Sequence, residues 1–496
     1  MYLNKRPVLA ERLDFGEGLC IPCCVCYNLY QHFGRLFVCR PQAYFHNEDG
    51  QNCKSDFQRY RTISNKFHEQ ADRGDSMGAQ RYEFAIVGAG ASGLMAAGET
   101  VQAGSTIVLE AKQKPGKKLL ATGNGRCNLG NRGVSPTHYH GDVERASRVL
   151  ERFSPEKLEQ FWRKNGLLCR ELDEGRLYPY GMQAVSVLEC LLRRVVERGG
   201  EVRCDFPVEE IRREQGFLTL SGPCGRVRAR RVILACGGMA SPSLGGGELG
   251  YRLAKSLGHQ ITPLFPSLVQ LTAPSARVKP LKGARSLAEI SLWTGSHGVA
   301  SAKGEVQFTG EGLSGICVFE VSRAYGELSE KERKTAELSI CLMPEYGPGD
   351  LYAFLRTAAS SPLLPAQELL DGLLNRLVAR EVLKSAVRRL PAYAREYKPA
   401  ELSAIAARVR DFRFPVTGTA GWQAAQVTAG GVPLSEVDIS TLESRLCSGV
   451  YLTGELLNLD GDCGGYNLHW AWATGLLAGR SAGMAANPGT RWDFRL

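Results

Sequence analysis

The stretch from Tyr82 to Glu110 constrains this chain more than any other. An apolar run, Phe84-Ala85-Ile86-Val87, leads into Gly88-Ala89-Gly90-Ala91-Ser92-Gly93. An Ala-rich amphipathic run follows, then Thr106-Ile107-Val108-Leu109 and Glu110. The order reads strand, glycine turn, helix, strand, acid. Gly88 permits a tight turn, Gly90 lets the backbone approach a pyrophosphate, and Gly93 lets the helix pack closely on the strand. The helix start offers N–H groups and a positive dipole end to phosphate. Glu110, with Ala111 behind it, closes the second strand about twenty residues after the glycines, where a carboxylate bonds ribose hydroxyls. Together these features predict an adenine dinucleotide with an unphosphorylated ribose, FAD or NAD.

The same logic recurs near the other end of the chain. Gly449-Val450-Tyr451-Leu452 predicts a strand that closes on Gly454-Glu455. The run from Asp460 through Gly464, Gly465, Tyr466 and Asn467 then opens an apolar helix reaching Gly479. An acid such as Glu455 can bond ribityl hydroxyls, and a dipole end favours negative charge at the N1–C2=O edge of a reduced flavin. Two such turns point to FAD, which needs one contact set for its ADP half and another for its ring. Between them, the loop 112–128 carries Gly116, Gly123 and Gly125 with Lys118 and Arg126. That pattern predicts backbone wrapped around a ligand, with cations facing a pyrophosphate. A buried strand at 231–235 ends in Cys236-Gly237-Gly238, which places Ala235 and Gly237 at the carboxyl edge of a parallel sheet.

A chain of 496 residues with 44% hydrophobic content exceeds one ordinary domain. The pattern divides it into a first α/β part at 77–263, an inserted β-rich then helical part at 264–412, and a second α/β part at 413–496. Within the first part we expect a helix at 154–166 with Ser154 as N-cap, a strand at 176–179 and an amphipathic helix at 183–198. Strands at 201–204 and 208–211, a hairpin of 216–221 with 226–229, and a helix at 251–257 follow. Residues 1–76 hold six of the sixteen cysteines and show no clear period. They are expected to be a disordered or mis-annotated extension ahead of a start at Met77, a metal-binding tail being the alternative. Tetrahedral zinc wants two spaced ligand pairs, and Cys20, Cys23, Cys24 and Cys26 lack a regular far pair. The other ten cysteines, Cys127 to Cys463, sit mostly in apolar runs, which suits buried thiols in a reducing cytoplasm. No apolar run reaches about eighteen residues, so no membrane span is expected. The net charge of +10 is spread without a Lys/Arg block, which favours a solvated basic surface over nucleic-acid binding.

Several longer motifs carry a resemblance. They are Gly88 to Gly93; Lys118-Leu119-Leu120 with Gly123 to Asn128; Gly175 to Pro179; Phe308 to Gly315; Thr428 to Val432; and Gly454 to Trp472. In these the chain resembles the HI0933-like (YhiN-type) bacterial FAD-dependent oxidoreductases, a group that includes aminoacetone oxidase-like and bile-acid reductase-like flavoproteins. The resemblance covers nearly everything after Met77. It implies a discontinuous Rossmann-type FAD-binding domain interrupted by a β-barrel-like plus helical insert. It also implies that Glu110 holds the adenosine ribose, that Val208 meets adenine through its backbone, and that Arg126, Cys127 and Asn128 line the flavin side. Glu455, Asp460 and Gly464 to Asn467 would hold the ribityl chain and ring. The chain departs from the family at Cys236, near Ala240 and at Gly310-Glu311-Gly312.

The activity so implied is reduction of an activated C=C bond in a small organic substrate, with hydride passing from NAD(P)H through flavin N5. An amine oxidase, a non-catalytic flavin-binding module and an RNA-associated flavoprotein are the alternatives. The redox partner, whether NADH, NADPH or oxygen, and the oligomeric state stay open. No Ser/His/Asp, paired-carboxylate or metal constellation stands out after Met77, so no catalytic residue is assigned. His259 and His469 read as isolated structural histidines and Cys127 as a packed thiol. Tyr178, Tyr466 and His469 remain as proton-donor candidates.

Overall fold

The computed structural model describes residues 79–488, all within one compact unit. The expectations for residues 1–76, and for a start at Met77, lie outside the described residues.

Strand β1 (Gln80–Val87), helix α1 (Ala91–Thr100) and strand β2 (Thr106–Leu109) form as the sequence requires. With β3 (Glu201–Arg203), β4 (Gly225–Leu234) and β5 (Val450–Leu452) they build a parallel sheet ordered β3-β2-β1-β4-β5. The last four residues of β1 and all of β2 are buried, as in strands covered on both faces. An antiparallel pair, Glu210–Glu214 and Phe217–Gly222, extends the sheet from the first half of β4.

Two sequence expectations change here. The hairpin strand at 226–229 and the buried strand at 231–235 are one strand, β4. Its first half pairs with Phe217–Gly222 and its second half with β5. Arg230 and Arg231 read as a polar break, but both guanidiniums reach Glu83 on β1, so the strand runs through. The strand expected at 208–211 begins at Glu210, leaving Val208 on the segment before it. Elsewhere the helix Pro155–Lys164 starts after Ser154 as expected. The Ser154 hydroxyl donates to the Glu156 carboxylate at 2.7 Å and caps nothing.

Helix α2 (Tyr466–Ala486) lies along α1 with almost no side chain between them. A Cβ on Gly475 would sit 2.5 Å from the Ser92 carbonyl oxygen, and one on Gly479 would sit 2.6 Å from that of Ala96. The two backbones therefore touch, which only glycine permits. Both contacts advance in the same direction, so the helices run parallel. Gly475 lies nine residues past the start of α2 and its partner Ser92 one past the start of α1, so α2 starts roughly 12 Å before α1 at 1.5 Å per residue. At the far end of the seam, buried Glu99 on α1 accepts from Arg194 at 2.5 Å and from Arg480 on α2 at 2.9 Å. No helix among the described residues is long and apolar enough to cross a membrane.

A second sheet gathers residues 271–419. Its order is Phe412–Pro415, Ala336–Cys341, Arg285–Thr294, His297–Phe308, Gly312–Ser314, Leu271–Thr272 and Gly418–Thr419, all antiparallel. One face is apolar by alternation: Ala288, Ile290 and Leu292; Ala336, Leu338 and Ile340; Phe412 and Phe414. That face shares a core with helices Ile316–Glu327, Pro348–Ala359, Arg376–Ala386 and Pro399–Arg410. Among the described residues no ladder joins the first and last strands. Those end strands are four and two residues long and pair on one side only. Only Val416 and Thr417 separate them, and there the chain passes from one edge of the path to the other: the Val416 N–H donates to the Ala336 carbonyl and the Thr417 N–H to the Thr272 carbonyl, both at 2.9 Å, so the path of strands turns back on itself.

Glu99 is the one acid shared by two buried arginines across the helix seam. Glu99→Gln is expected to destabilise the protein by about 3–5 kcal/mol, the usual cost of stripping the partner from a buried charge. A urea denaturation midpoint checks this.

Candidate active site

The carboxyl ends of β1, β4 and β5 converge on two glycine turns. Gly88 has φ +107°, and a Cβ there would lie 2.4 Å from the Ala235 carbonyl oxygen. A Cβ on Gly93 would meet the Gly88 carbonyl oxygen at 1.9 Å. Gly90 is the opposite case: it caps α1, and nothing lies within 4 Å of where its Cβ would stand. No side chain caps α1 either, so its N-terminus faces open space. Gly237 (φ +71°) opens onto space in the same way. Gly454, just past β5, would place a Cβ 2.7 Å from Ser92 Oγ, so the second turn touches the first.

The acids and bases expected to face a ligand already have partners. Glu110 accepts from the backbone N–H of Ala89 and of Lys112, both at 2.8 Å, and so ties the glycine turn to the end of β2. Lys118 Nζ lies 2.7 Å from Glu455, whose other oxygen accepts from the Thr428 N–H at 2.9 Å. The cation assigned to the pyrophosphate and the acid assigned to the ribityl chain hold each other. Arg126 is exposed, donates to the Gly123 carbonyl at 3.0 Å and lies over the Tyr178 ring at 5.5 Å. Asp460 departs most from expectation. It is buried and paired with Arg323 of helix Ile316–Glu327 at 2.8 Å. Burial raises its carboxyl and the Arg323 charge opposes that rise.

Around the loop after Gly116, Gly123, Asn124, Gly125 and Cys127 all take positive φ, between 55° and 81°. The Cys127 side chain is buried, and burial pushes its thiol up to about 12, so it stays protonated. Asn128 is different: its Oδ1 is buried and finds no hydrogen-bond partner in the protein. A Cβ on neighbouring Gly465 would lie 2.6 Å from that oxygen. An orphaned buried acceptor costs about 1–3 kcal/mol, so it marks a place where a donor is received. At the start of α2, Gly464 and Gly465 have φ +136° and +103°. Asn467 pins this turn by accepting from the Gly461 N–H at 2.8 Å and donating to the Gly461 carbonyl at 2.7 Å.

The structure also assembles a constellation that the sequence reading missed. Strand Tyr139–Gly141 pairs antiparallel with Leu459–Gly461, with Asp460 opposite His140. His138 and His140 stand two residues apart and so point to one side. Asp462 bonds both rings, His138 Nδ1 at 3.0 Å and His140 Nε2 at 2.9 Å. Tyr139 points the other way, its hydroxyl donating to the Tyr466 carbonyl at 3.0 Å. The His138 ring stacks on Tyr466 with centroids 4.5 Å apart. Burial pulls the Asp462 carboxyl up, but hydrogen bonds from the two histidines outweigh this and hold it below the ordinary aspartate range. These groups line a cleft of about 800 Å³, whose far wall is helix Ile316–Glu327. The available signal was the His-x-His spacing beside an aromatic. Among the described residues no group of His, Cys, Asp and Glu can hold a metal ion, and all ten cysteines are free.

His259 and His469 are structural. His259 bridges Glu436 and Ser444, each at 2.9 Å. His469 is buried, and its Nε2 lies 2.8 Å from the Phe153 carbonyl oxygen. Burial pushes its pKa from 6.5 down to about 4. The folded value lies below the unfolded one, so the unfolded chain takes up this proton first as pH falls. The site's stabilisation is present above pH 6.5 and erodes towards pH 4, by about 2 kcal/mol between pH 7 and 5. His469→Gln, which keeps a donor for Phe153, is expected to remove that part of the pH dependence when unfolding is compared at the two pH values.

Known proteins resemble this chain. The profile of the HI0933-like protein Rossmann domain matches residues 82–481. The 3-dehydro-bile acid delta(4,6)-reductase of Clostridium scindens is 39% identical over 404 residues, spanning 80% of this chain and 98% of that protein. The ribosomal RNA dihydrouridine synthase of Escherichia coli is 28% identical over 399 residues, spanning 80% of this chain and 96% of that protein. Among solved structures, the 3-ketosteroid-delta4-(5alpha)-dehydrogenase of Rhodococcus jostii superposes with a TM-score of 0.44 at 15% identity, over 83% of this chain and 98% of that one.

Proposed function

From a chain that belongs to the HI0933-like family of FAD-dependent oxidoreductases, we propose an enzyme that reduces a C=C bond conjugated to a carbonyl, with NAD(P)H as the electron source. The observation that carries this reading is the stagger of the two glycine-opened helices. Their positive ends face the same side, roughly 12 Å apart along one direction at 1.5 Å per residue. That spacing suits an extended cofactor with a charged middle and an electron-accepting ring.

The residues present fit FAD. The open space before Gly90 suits a pyrophosphate, and a side chain there would fill it. The carboxylate of Glu110 retains lone pairs for the adenosine ribose, beyond the two backbone bonds it accepts. The unmatched Asn128 oxygen, next to Gly464 to Asn467, would accept from the flavin side. When bound, the flavin supplies hydride chemistry and the protein supplies orientation and electrostatics.

The substrate reading follows the Clostridium scindens relative, whose name specifies a 3-dehydro-bile acid. A cleft of about 800 Å³ suits a small organic molecule. The ten free thiols suit a reducing compartment such as the cytoplasm. A second reading, reduction of a uracil base in RNA, uses the same chemistry, since that ring also holds a C=C bond conjugated to a carbonyl. The net charge of +10 and the Escherichia coli relative favour it. The lower identity of that relative places it second.

Anaerobic stopped-flow separates these readings. NADH or NADPH is expected to bleach the flavin band, and a 3-oxo-4,6-diene bile acid to restore it. Bleaching by an amine alone makes the protein an oxidase, and recovery with ribosomal RNA alone selects the second reading. Gly90→Val tests the cofactor cradle. Its Cβ meets no protein atom, so the FAD-free variant should unfold at the wild-type temperature while FAD affinity falls at least tenfold, read by flavin fluorescence quenching.

A further inference from the structure

We propose that the cleft beside the start of α2 receives the conjugated ketone, and that His138, held by Asp462, is the acid that protonates the substrate carbon. This rests on the reductase reading above. Reducing a conjugated C=C bond needs two deliveries. Hydride, drawn from the reduced flavin, forms a C–H bond at the carbon β to the carbonyl. The C=C pair then moves to the α carbon, where it forms a second C–H bond with a proton. The N–H bond of an imidazolium breaks to give that proton, the ring becomes neutral, and solvent restores it.

The cluster has the parts such an acid requires: an imidazole, a carboxylate that orients it and a cavity beside it. Asp462 takes the Nδ1 side of His138, which leaves Nε2 as the ring nitrogen it does not bind. The side chain is 38% exposed on the cleft wall, so it can exchange protons with solvent. Its stack on Tyr466 fixes the ring plane at the start of α2, next to Gly465 and the unmatched Asn128 oxygen. His140 shares Asp462 but sits further along the strand and has no such stack.

Other charged groups line the same cleft. Glu174 and Arg176 come from the neighbouring turn and strand, and Glu320 from helix Ile316–Glu327. Burial, then the charges of Asp462 and Glu174, raise the Glu320 carboxyl, which makes it the rival donor. Glu320 has no orienting carboxylate, and it stands on helix Ile316–Glu327 rather than on the strand that pairs with Leu459–Gly461.

The test uses FAD-loaded enzyme, pre-reduced without oxygen and mixed with a 3-oxo-4,6-diene bile acid. His138→Gln is expected to slow flavin reoxidation by about a hundredfold or more, the usual range for losing a general acid. It should leave flavin content and the rate of reduction by NAD(P)H unchanged. Asp462→Asn removes the orienting charge while keeping the shape, and it serves if His138→Gln does not fold. Asp462 is a positioning residue, so this variant should move the alkaline limb of the reoxidation pH profile to lower pH, because the imidazolium loses its counter-charge. Wild-type rates in both variants, or a hundredfold loss in Glu320→Gln alone, overturn the proposal and leave the reductase reading standing. A reduced wild-type enzyme that no conjugated ketone reoxidises overturns the reductase reading, and the proposal with it.

Discussion

Two helices that meet without side chains set the geometry of everything else. Where Gly475 and Gly479 lie on Ser92 and Ala96, no rotamer can adjust the spacing, so the separation of α1 and α2 follows from backbone dimensions alone. Glu99 and its two arginines fix the same seam at its other end. The turn at Gly454 is then pressed onto Ser92, and the loop from Gly461 to Gly465 projects beyond α1. A cofactor spanning both turns would meet a ruler already cut to length. Such preorganisation lowers the ordering cost of binding.

The acids of the site show how one residue can be structural and functional together. Glu110, Glu455 and Asp460 would each be read as ligand contacts from their places at strand ends. Each is engaged within the protein: Glu110 with two N–H groups, Glu455 with Lys118 and Thr428, Asp460 with Arg323. A carboxylate has more lone pairs than these bonds use, so Glu110 and Glu455 can hold their turns and still accept a hydroxyl. Asp460, buried beneath the histidine strand and held by Nε and Nη2 of Arg323, has given both its oxygens to helix Ile316–Glu327.

How much was legible in the chain follows from what each feature depends on. The glycine turns were, because their residues are dictated locally: Gly88 by its φ, Gly93 by the carbonyl it touches, Gly90 by the emptiness before it. Strands β1, β2 and β5 were legible from their apolar runs. Long-range pairing was not. Nothing near His138 or His140 announces the strand Leu459–Gly461, which lies more than three hundred residues away in sequence. Arg230 and Arg231 concealed the continuity of β4, because their partner Glu83 belongs to another strand. Whether the second sheet closes depends on its last short strands, which carry too few residues to show a pattern.

The bond between Arg323 and Asp460 has a mechanical side. It clamps the helix forming the far wall of the cleft to the strand directly opposite His140. The two walls thus share one frame and keep a set distance. Such an opening works as a calliper with its jaws locked: its width is set before any molecule arrives.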